Sequence, residues 1–320
     1  MMPLITGLDR AESPRTISAP EISGPAARFV SVVVPVYDDV AGLTKCLQAL
    51  EDQTYPAERY EVIVVDNGST HPVAPVLAAY VRAVGECETQ PGSYAARNRG
   101  IAVARGEIFA FTDADCVPAP SWIAEGVAAL EADPGCGLAA GDIEVVPRDA
   151  GAPTAVELYE LTYGFRQAFY VTEGFGATAN LFTRREVFEA VGPFDARLKS
   201  CGDREWGMRV RDAGYHLAYA GGARVLHPAR RSWSELIQKT ARVSGGMFEL
   251  ARLQGQDRRH TLSVVMSELR PPVRQALRVL QGEGPSGLRA RLLVIAALTL
   301  RRWVTAFEWL RLEAGSRPRR

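Results

Sequence analysis

The sequence predicts an α/β fold, a mostly parallel mixed sheet flanked by helices, with a helical C-terminal extension. Three observations carry this. Short apolar runs with β-branched and aromatic members, the mark of buried strands, occur at 29–35, 60–65 and 107–112. Between them lie segments with apolar residues at helical spacing, and strands that alternate with helices imply right-handed β-α-β units. Each run also stops at polar, ligand-type residues, and open α/β sheets hold ligands at the carboxyl ends of their strands.

Residues 1–28 carry Pro3, Pro14, Pro20 and Pro25 among Ser and Gly, and are expected to form a loose leader. The first strand is 29–35. Val40, Leu43, Leu47 and Leu50 place a helix over 40–53. The second strand ends in Asp66-Asn67-Gly68-Ser69. A helix is expected over 73–84, a short strand near 86–88, and a helix over 94–104. The strand 107–112 runs into Asp113-Ala114-Asp115, and Ser121 is the expected N-cap of a helix over 121–132. Further on, 136–146 reads as one or two strands and 154–171 as helix. A Gly-rich loop over 174–183 enters a strand. Helices are expected over 184–191 and 203–213, and two short strands at 216–220 and 223–227. Residues 232–315 read as helical and Arg-rich. The expected division is a leader over 1–28, the main α/β domain over 29–231 and the extension over 232–320.

The chain has 320 residues and an apolar content of 47%, enough for one large domain with a substantial core and a smaller appendage. Lys+Arg and Asp+Glu are both 37, so there is no net charge, and we expect no nucleic-acid partner. The distribution is uneven: residues 257–320 hold 13 Arg, no Lys and five acids, a net of +8. The five cysteines show no paired spacing, which argues for a reducing compartment and against disulfides or a zinc site. No signal peptide is expected, and the longest apolar run, 292–300, is too short to cross a bilayer. A cytoplasmic protein is expected.

In an extended chain Asp113 and Asp115 point to the same side. Two hard oxygen ligands at a strand end suit Mg²⁺ or Mn²⁺, which bind through one or two carboxylates plus substrate phosphates.

Five motifs in order, Val32-Val-Val-Pro-Val-Tyr-Asp38, Val64-Val-Asp-Asn-Gly-Ser69, Ala96-Arg-Asn-Arg-Gly100, Phe111-Thr-Asp-Ala-Asp115 and Gly202-Asp-Arg-Glu-Trp206, resemble the family 2 inverting glycosyltransferases of GT-A fold, with a Rossmann-like sheet. The resemblance covers roughly residues 29–227. It implies transfer of a sugar from a nucleotide-diphosphate sugar donor to an acceptor, with a divalent metal as cofactor. Residue by residue, it implies that Pro35, Val36, Tyr37 and Asp38 line the nucleoside pocket. Asp66 contacts the base, and the same residue is a natural N-cap or Asx-turn former. Arg97 lies near the nucleotide, Asp113 near the ribose with Ala114 between the two acids, and Asp115 on the metal. Asp203 is the implied general base. Many members carry Glu-Asp here, whereas this chain has Gly202-Asp203-Arg204-Glu205, so Glu205 stays open as the base. His227 is the implied further metal ligand, against the ordinary role of a packed histidine. Gly176 and Ala177 belong to a small-residue loop beneath donor sugar and acceptor, and Trp206 is expected to stack on a sugar face. Arg230 and Arg231 are either a diphosphate clamp or a solvated pair. The Gln-x-x-Arg-Trp sequence common in processive members is absent after Asp203, which favours single addition.

The segment 288–313 alternates apolar residues with Arg289, Arg291, Arg301, Arg302 and Arg311, and adds Trp303, Phe307 and Trp309. A basic amphipathic helix of this kind lies on an anionic membrane surface or packs on its own protein or a second subunit. The first reading would place the protein peripherally on the inner face of the cell membrane and suit a lipid-linked glycan acceptor; an acceptor sugar is the alternative. Surface-polysaccharide or glycolipid assembly is the expected setting. Two other functions compete, a sugar nucleotidyltransferase and a non-catalytic nucleotide-sugar-binding protein. The first usually carries a Gly-rich loop with Arg and Lys after strand one, which 37–42 lacks.

Overall fold

A computed structural model describes residues 27–318; the expected leader falls almost wholly outside the described residues. The elements in order are β1 (Val30–Val36), α1 (Val40–Glu51), β2 (Tyr60–Asp66), α2 (Ala74–Leu77), β3 (Ala83–Cys87), α3 (Ser93–Val103), β4 (Ile108–Thr112), β5 (Val117–Pro118), α4 (Trp122–Glu131) and β6 (Cys136–Val146). There follow α5 (Ala155–Tyr163), α6 (Gln167–Thr172), β7 (Asn180–Arg184), α7 (Arg185–Val191), α8 (Gly202–Asp212), β8 (His216–Pro228), α9 (Trp233–Leu253), α10 (Arg258–Leu269), α11 (Val273–Gln281) and α12 (Leu288–Glu313).

The strands form one sheet in the order β3-β2-β1-β4-β7-β6-β8-β5. β1 pairs in parallel with β2 and β4, β2 with β3, and β6 with β8. β7 is antiparallel to both β4 and β6, and β5 to β8. Side chains alternate between two cores. Val32, Val34, Val62, Val64 and Ala110 enter one, with Leu43 and Leu47 of α1. Val33, Ile63, Val65, Phe109 and Phe111 enter the other, with Ala96 of α3 and Trp206 of α8. A sheet covered on both faces needs apolar residues at every position, which is why these strands read as continuous apolar runs.

The topology fixes where polar ends meet. The register sets Val36 level with Asp66. Asn180, the first residue of antiparallel β7, lies opposite Thr112, the last of β4, so the loop before β7 arrives at the same edge. β8 runs in the same direction as β4, and its end, at His227, reaches that edge too.

Several expectations change. The helix over 73–84 shrinks to α2, because Ala83–Cys87 pairs with β2 and sheet pairing overrides a locally helical pattern. Ser121 makes no side-chain cap; Gln53 Oε1 accepts instead from the Ile123 N–H, at 3.0 Å. The helix over 154–171 breaks at Gly164 into α5 and α6. The two strands at 216–227 are one strand, with the pairing of β6 and β8 shifting between Gly141 and Asp142.

The described chain forms two compact units. One contains the residues up to Val146 together with Phe165–Pro228, and so the whole sheet. The other contains Pro147–Gly164 with the residues from Ala229 onward. Residues 147–164, and α5 with them, thus group with the C-terminal helices, where a linear division at 231 would separate them. In this unit α5, α9 and α12 share a core of Val156, Tyr159, Leu236, Ala297 and Leu298. A second cluster joins Ala251, Val264, Val265, Ala306 and Trp309. Capping boxes start α5, at Thr154 and Glu157, and α9, at Ser232 and Glu235.

α3 lies against β1 and β2 through Gly100, where a Cβ would stand 2.5 Å from Val33 Cγ1 and 3.2 Å from Val65 Cγ2. Gly100→Ala is therefore expected to lower stability by about 1–3 kcal/mol, the usual effect of overpacking. Urea titration checks it, and an unchanged midpoint would show that α3 can lift from the sheet freely.

Candidate active site

The site is assembled at the sheet edge where β1, β2, β4 and β8 end. After β1, Asp38 sits in the left-handed region with φ 51°, a conformation unusual outside glycine. Its Oδ1 accepts from the Thr70 N–H at 2.6 Å and the Thr70 hydroxyl at 2.7 Å, and its own N–H donates to Ser69 Oγ at 3.0 Å. The Thr70 bonds hold the Asp38 carboxyl below the ordinary aspartate range. Asp66 Oδ1 accepts from the Ser69 N–H at 2.9 Å, the Asx-type turn expected of it. The two carboxylates thus brace one loop, while Tyr37 stands exposed beside them. Pro35 and Val36 lie within β1, Val36 buried.

Asn67 was legible only as turn chemistry, yet it ties the end of β2 to the approach of α3. Its Nδ2 donates to the carbonyls of Glu88 and Gln90, at 2.9 and 2.8 Å, and its Oδ1 accepts from the Gly92 N–H at 2.6 Å. Two turns into α3, Arg97 is buried and ion-pairs with Asp113 Oδ1. Arg97 Nε has no hydrogen-bond partner among the described residues. Ala114 is buried beneath the two acids.

Asp115 lies across from His227, with Oδ2 3.7 Å from Nε2. His227 is buried and its Nδ1 lies 2.9 Å from the Pro228 carbonyl. A carbonyl can only accept, so in the neutral ring Nδ1 carries the proton and Nε2 presents its lone pair toward Asp115. The Phe165 ring packs on the imidazole at a centroid distance of 4.8 Å. Cys116 Sγ completes a set of three donor atoms lying within 4.8 Å of one another. Burial pushes that thiol well above its ordinary range, so at neutral pH it is a packed thiol and not a thiolate ligand. An oxygen and an imidazole nitrogen suit Mn²⁺ or Mg²⁺ with water and phosphate completing the shell.

Asp203 opens α8. Its Oδ1 accepts from the Tyr94 hydroxyl at 3.1 Å and the Arg204 N–H at 2.9 Å, and Oδ2 from the Thr178 N–H at 3.4 Å. Burial raises its pKa above the aspartate norm, opposed by these bonds and by the charge of Arg97. Arg97 therefore acts on two carboxylates, Asp113 by contact and Asp203 through its field. Neither Tyr94 nor Thr178 was flagged in the sequence, since an aromatic at a helix start and a Thr in a Gly-rich loop carry no signal of their own.

Four sequence-predicted residues, Glu205, Trp206, Gly176 and Ala177, have other duties. Glu205 is engaged at both oxygens by Arg209, at 2.7 and 2.9 Å, one turn along α8. Trp206 does not face a sugar. It is fully buried, stacked on Phe188, packed on Phe194, and donates from Nε1 to the Gly192 carbonyl. It belongs to the packed stripe of α8 with Gly207 and Val210. Gly176 is glycine because of the core: a Cβ there would meet Ala140 Cβ at 2.8 Å. Ala177 is likewise buried, its N–H and carbonyl both bonded to Gln167. Both pack as a floor, and it is the next residue, Thr178, that reaches Asp203. Arg230 and Arg231, in the other unit, ion-pair with the buried Glu160 and Glu157 respectively, Arg231 staying exposed to solvent.

Comparison with known proteins agrees with this geometry. The family model described as Glycosyl transferase family 2 matches residues 31–192. Glycosyltransferase AglE of Haloferax volcanii is 39% identical over 228 residues, 69% of this chain and 74% of that protein. A pre-mycofactocin glycosyltransferase of Mycobacterium tuberculosis is 30% identical over 72% of this chain and 49% of its own length. Among solved structures, the mannosyltransferase PcManGT of Pyrobaculum calidifontis, in complex with GDP-Man and Mn²⁺, has a TM-score of 0.57 at 19% identity, over 95% of this chain and 80% of that one. Residues 1–349 of TarS from S. aureus give a TM-score of 0.51 at 16% identity, over 90% and 92%. The fold is therefore of the GT-A type, and the chain, a transferase, belongs to glycosyl transferase family 2.

Proposed function

We propose that the protein is a metal-dependent inverting glycosyltransferase. It moves one sugar per cycle from a nucleotide-diphosphate sugar to an acceptor hydroxyl, in surface-polysaccharide or glycolipid assembly. One observation carries this reading: a half-buried carboxylate with a raised pKa, Asp203, shares the field of Arg97 with Asp113 at the ligand-binding edge of the sheet. Pro35, Val36, Tyr37, Asp38 and Asp66 form the nucleoside side. Arg97 holds Asp113 toward the ribose, and its unpartnered Nε suits a donor oxygen.

Asp203 takes the proton of the acceptor hydroxyl as its oxygen attacks the anomeric carbon. The bond to the diphosphate oxygen breaks, its electron pair leaves with the nucleoside diphosphate, and attack from the opposite face inverts the centre. Asp115 and His227 would hold the divalent cation, whose chemistry when bound is to neutralise the leaving diphosphate as a Lewis acid. The mannosyltransferase PcManGT in complex with GDP-Man and Mn²⁺ supports this assignment.

The exposed face of α12 adds a location. Trp303 and Phe307 are 57% and 63% exposed, and Leu310 continues the same helical face. The +8 charge of residues 257–320 complements an anionic lipid surface, which we take as its occupant. Among the described residues no helix is long and apolar enough to cross a membrane. The opposite face of α12 is packed: Trp309 is buried, and buried Arg302 donates to the Ser267 carbonyl. Deleting α12 would therefore unfold its unit, and point changes are the proper probe.

Asp203→Asn should reduce turnover about 10²–10⁴-fold, the range of general base catalysis, with donor affinity nearly unchanged. Because the pKa of Asp203 is raised, wild-type turnover should fall as pH drops through it, where the carboxylate gains a proton. Glu205→Gln should act more mildly, through its bond with Arg209. A dead Glu205→Gln beside an active Asp203→Asn would make Glu205 the base.

Asp115→Ala should keep the far-UV CD spectrum and lose the Mn²⁺ dependence of nucleotide-sugar binding in calorimetry. Metal-stimulated binding at wild-type strength would remove Asp115 from the metal.

Trp303→Ser with Phe307→Ser should lower co-sedimentation with anionic vesicles several-fold, and raised salt should weaken the intact chain. Absence of vesicle binding by the intact chain would reject the lipid occupant. A dimer that the double substitution dissociates would install a second copy instead.

A further inference from the structure

We propose that Tyr94 is the positioning residue of the Asp203 carboxylate, and that glycine stands at 202 because the Tyr94 ring occupies the space a side chain would need. The proposal rests on the assignment of Asp203 as general base.

A Cβ at Gly202 would lie 2.7, 2.8 and 3.0 Å from three carbons of the Tyr94 ring. Real Cβ atoms do not approach so closely, and the ring has little room to retreat. It is buried, packs on Phe194 at 5.7 Å between centroids, and carries the Arg97 guanidinium 5.8 Å above it. The hydroxyl at its far end donates to Asp203 Oδ1. Ring and hydroxyl thus span the first turn of α8, over residue 202 and onto residue 203. The acid that many family members carry before the base cannot share this space. The ring fills the space at 202, and the hydroxyl supplies a fixed donor to Asp203.

The groups facing Asp203 are few. Tyr94 and Arg97 come from α3, Cys201 and Arg204 from the start of α8, and Tyr170 from α6. Burial and the neighbouring carboxylate push the Tyr94 hydroxyl well above its ordinary range, so it stays a donor at every pH of interest. A hydrogen bond given to a carboxylate favours the ionised form. Cys201 holds φ 62°, a left-handed conformation for a non-glycine residue, immediately before this pair. The entry to α8 is thus fixed by geometry and not by helix propensity.

The test is the pH profile of kcat/KM for Tyr94→Phe, which keeps the ring and deletes the donor. The acidic limb should move up by about one pH unit, a tenfold change in the protonation equilibrium, while the KM for the donor and the melting temperature stay near wild type. A profile that superimposes on wild type, beside an inactive Asp203→Asn, would overturn the positioning role alone. Full activity in Asp203→Asn would remove the base assignment instead. The packing half is read by a double-mutant cycle. Gly202→Ala should destabilise the wild type and lose that effect in a Tyr94→Ala background; additive losses would overturn the shared-space account.

Discussion

Arg97 is the interaction on which the site depends. A guanidinium is never discharged in a protein, so a buried one must keep a partner. Here the partner is Asp113, at the end of β4, reached from the second turn of α3. That pair fixes how far α3 extends along the sheet edge. Gly100, one turn further on, fixes how closely it approaches β1 and β2. With depth and reach both set, Tyr94 has one place to go, and its hydroxyl meets Asp203. Asp203 is therefore held by a helix that is itself tied to Asp113 through Arg97. A change at Asp113 would propagate along that helix to Asp203.

Much of the sheet was legible because it is buried on both faces. Continuous apolar runs leave little ambiguity over β1, β2 and β4, and the polar residues at their ends mark the edge. β3 was harder. It is an edge strand with Val84 exposed, and its first two residues fell within the helix expected over 73–84. Trp206 shows the opposite failure. An aromatic three residues from a candidate base suggests a sugar platform, but α8 turns its Trp206–Val210 stripe into the core. Motif spacing carries chemistry; it does not say which side of a helix is inward. The same limit hid Tyr94 and Thr178, whose roles come from one hydroxyl and one backbone N–H meeting Asp203 from distant segments.

The C-terminal unit was legible as helical but not as to which charges are buried. Arginines scattered along an apolar helix read as a basic outer face. In the structure Arg302 lies inside, beside Glu268, and Arg311 pairs with the buried Glu308. Long side chains can bury their stems and still find a partner, so alternation of Arg with apolar residues does not separate an outer face from an inner one. Leu288, Leu292, Trp303, Phe307 and Leu310 are the large apolar residues that α12 leaves exposed.

The basic residues after His227 make the last point about competition. Arg230 and Lys239 converge on Glu160, and Arg231 on Glu157, both acids of α5 and both buried. Burial and the nearby arginine charge depress Lys239 to about 8 despite that partner, whereas Glu160 is held below the ordinary glutamate range by the same cations. Glu160 is thus stabilised in its charged form by the cations, whereas its attraction offsets only part of what burial and Arg230 do to Lys239. A phosphate could recruit these cations only by leaving Glu160 buried and unpaired, which is strongly unfavourable. α5 was expected to be part of one long helix over 154–171. Its break at Gly164, together with the grouping of 147–164 with the later helices, sets these acids opposite the arginines. The pair that looked like a phosphate clamp in sequence is the ionic centre of the helical unit.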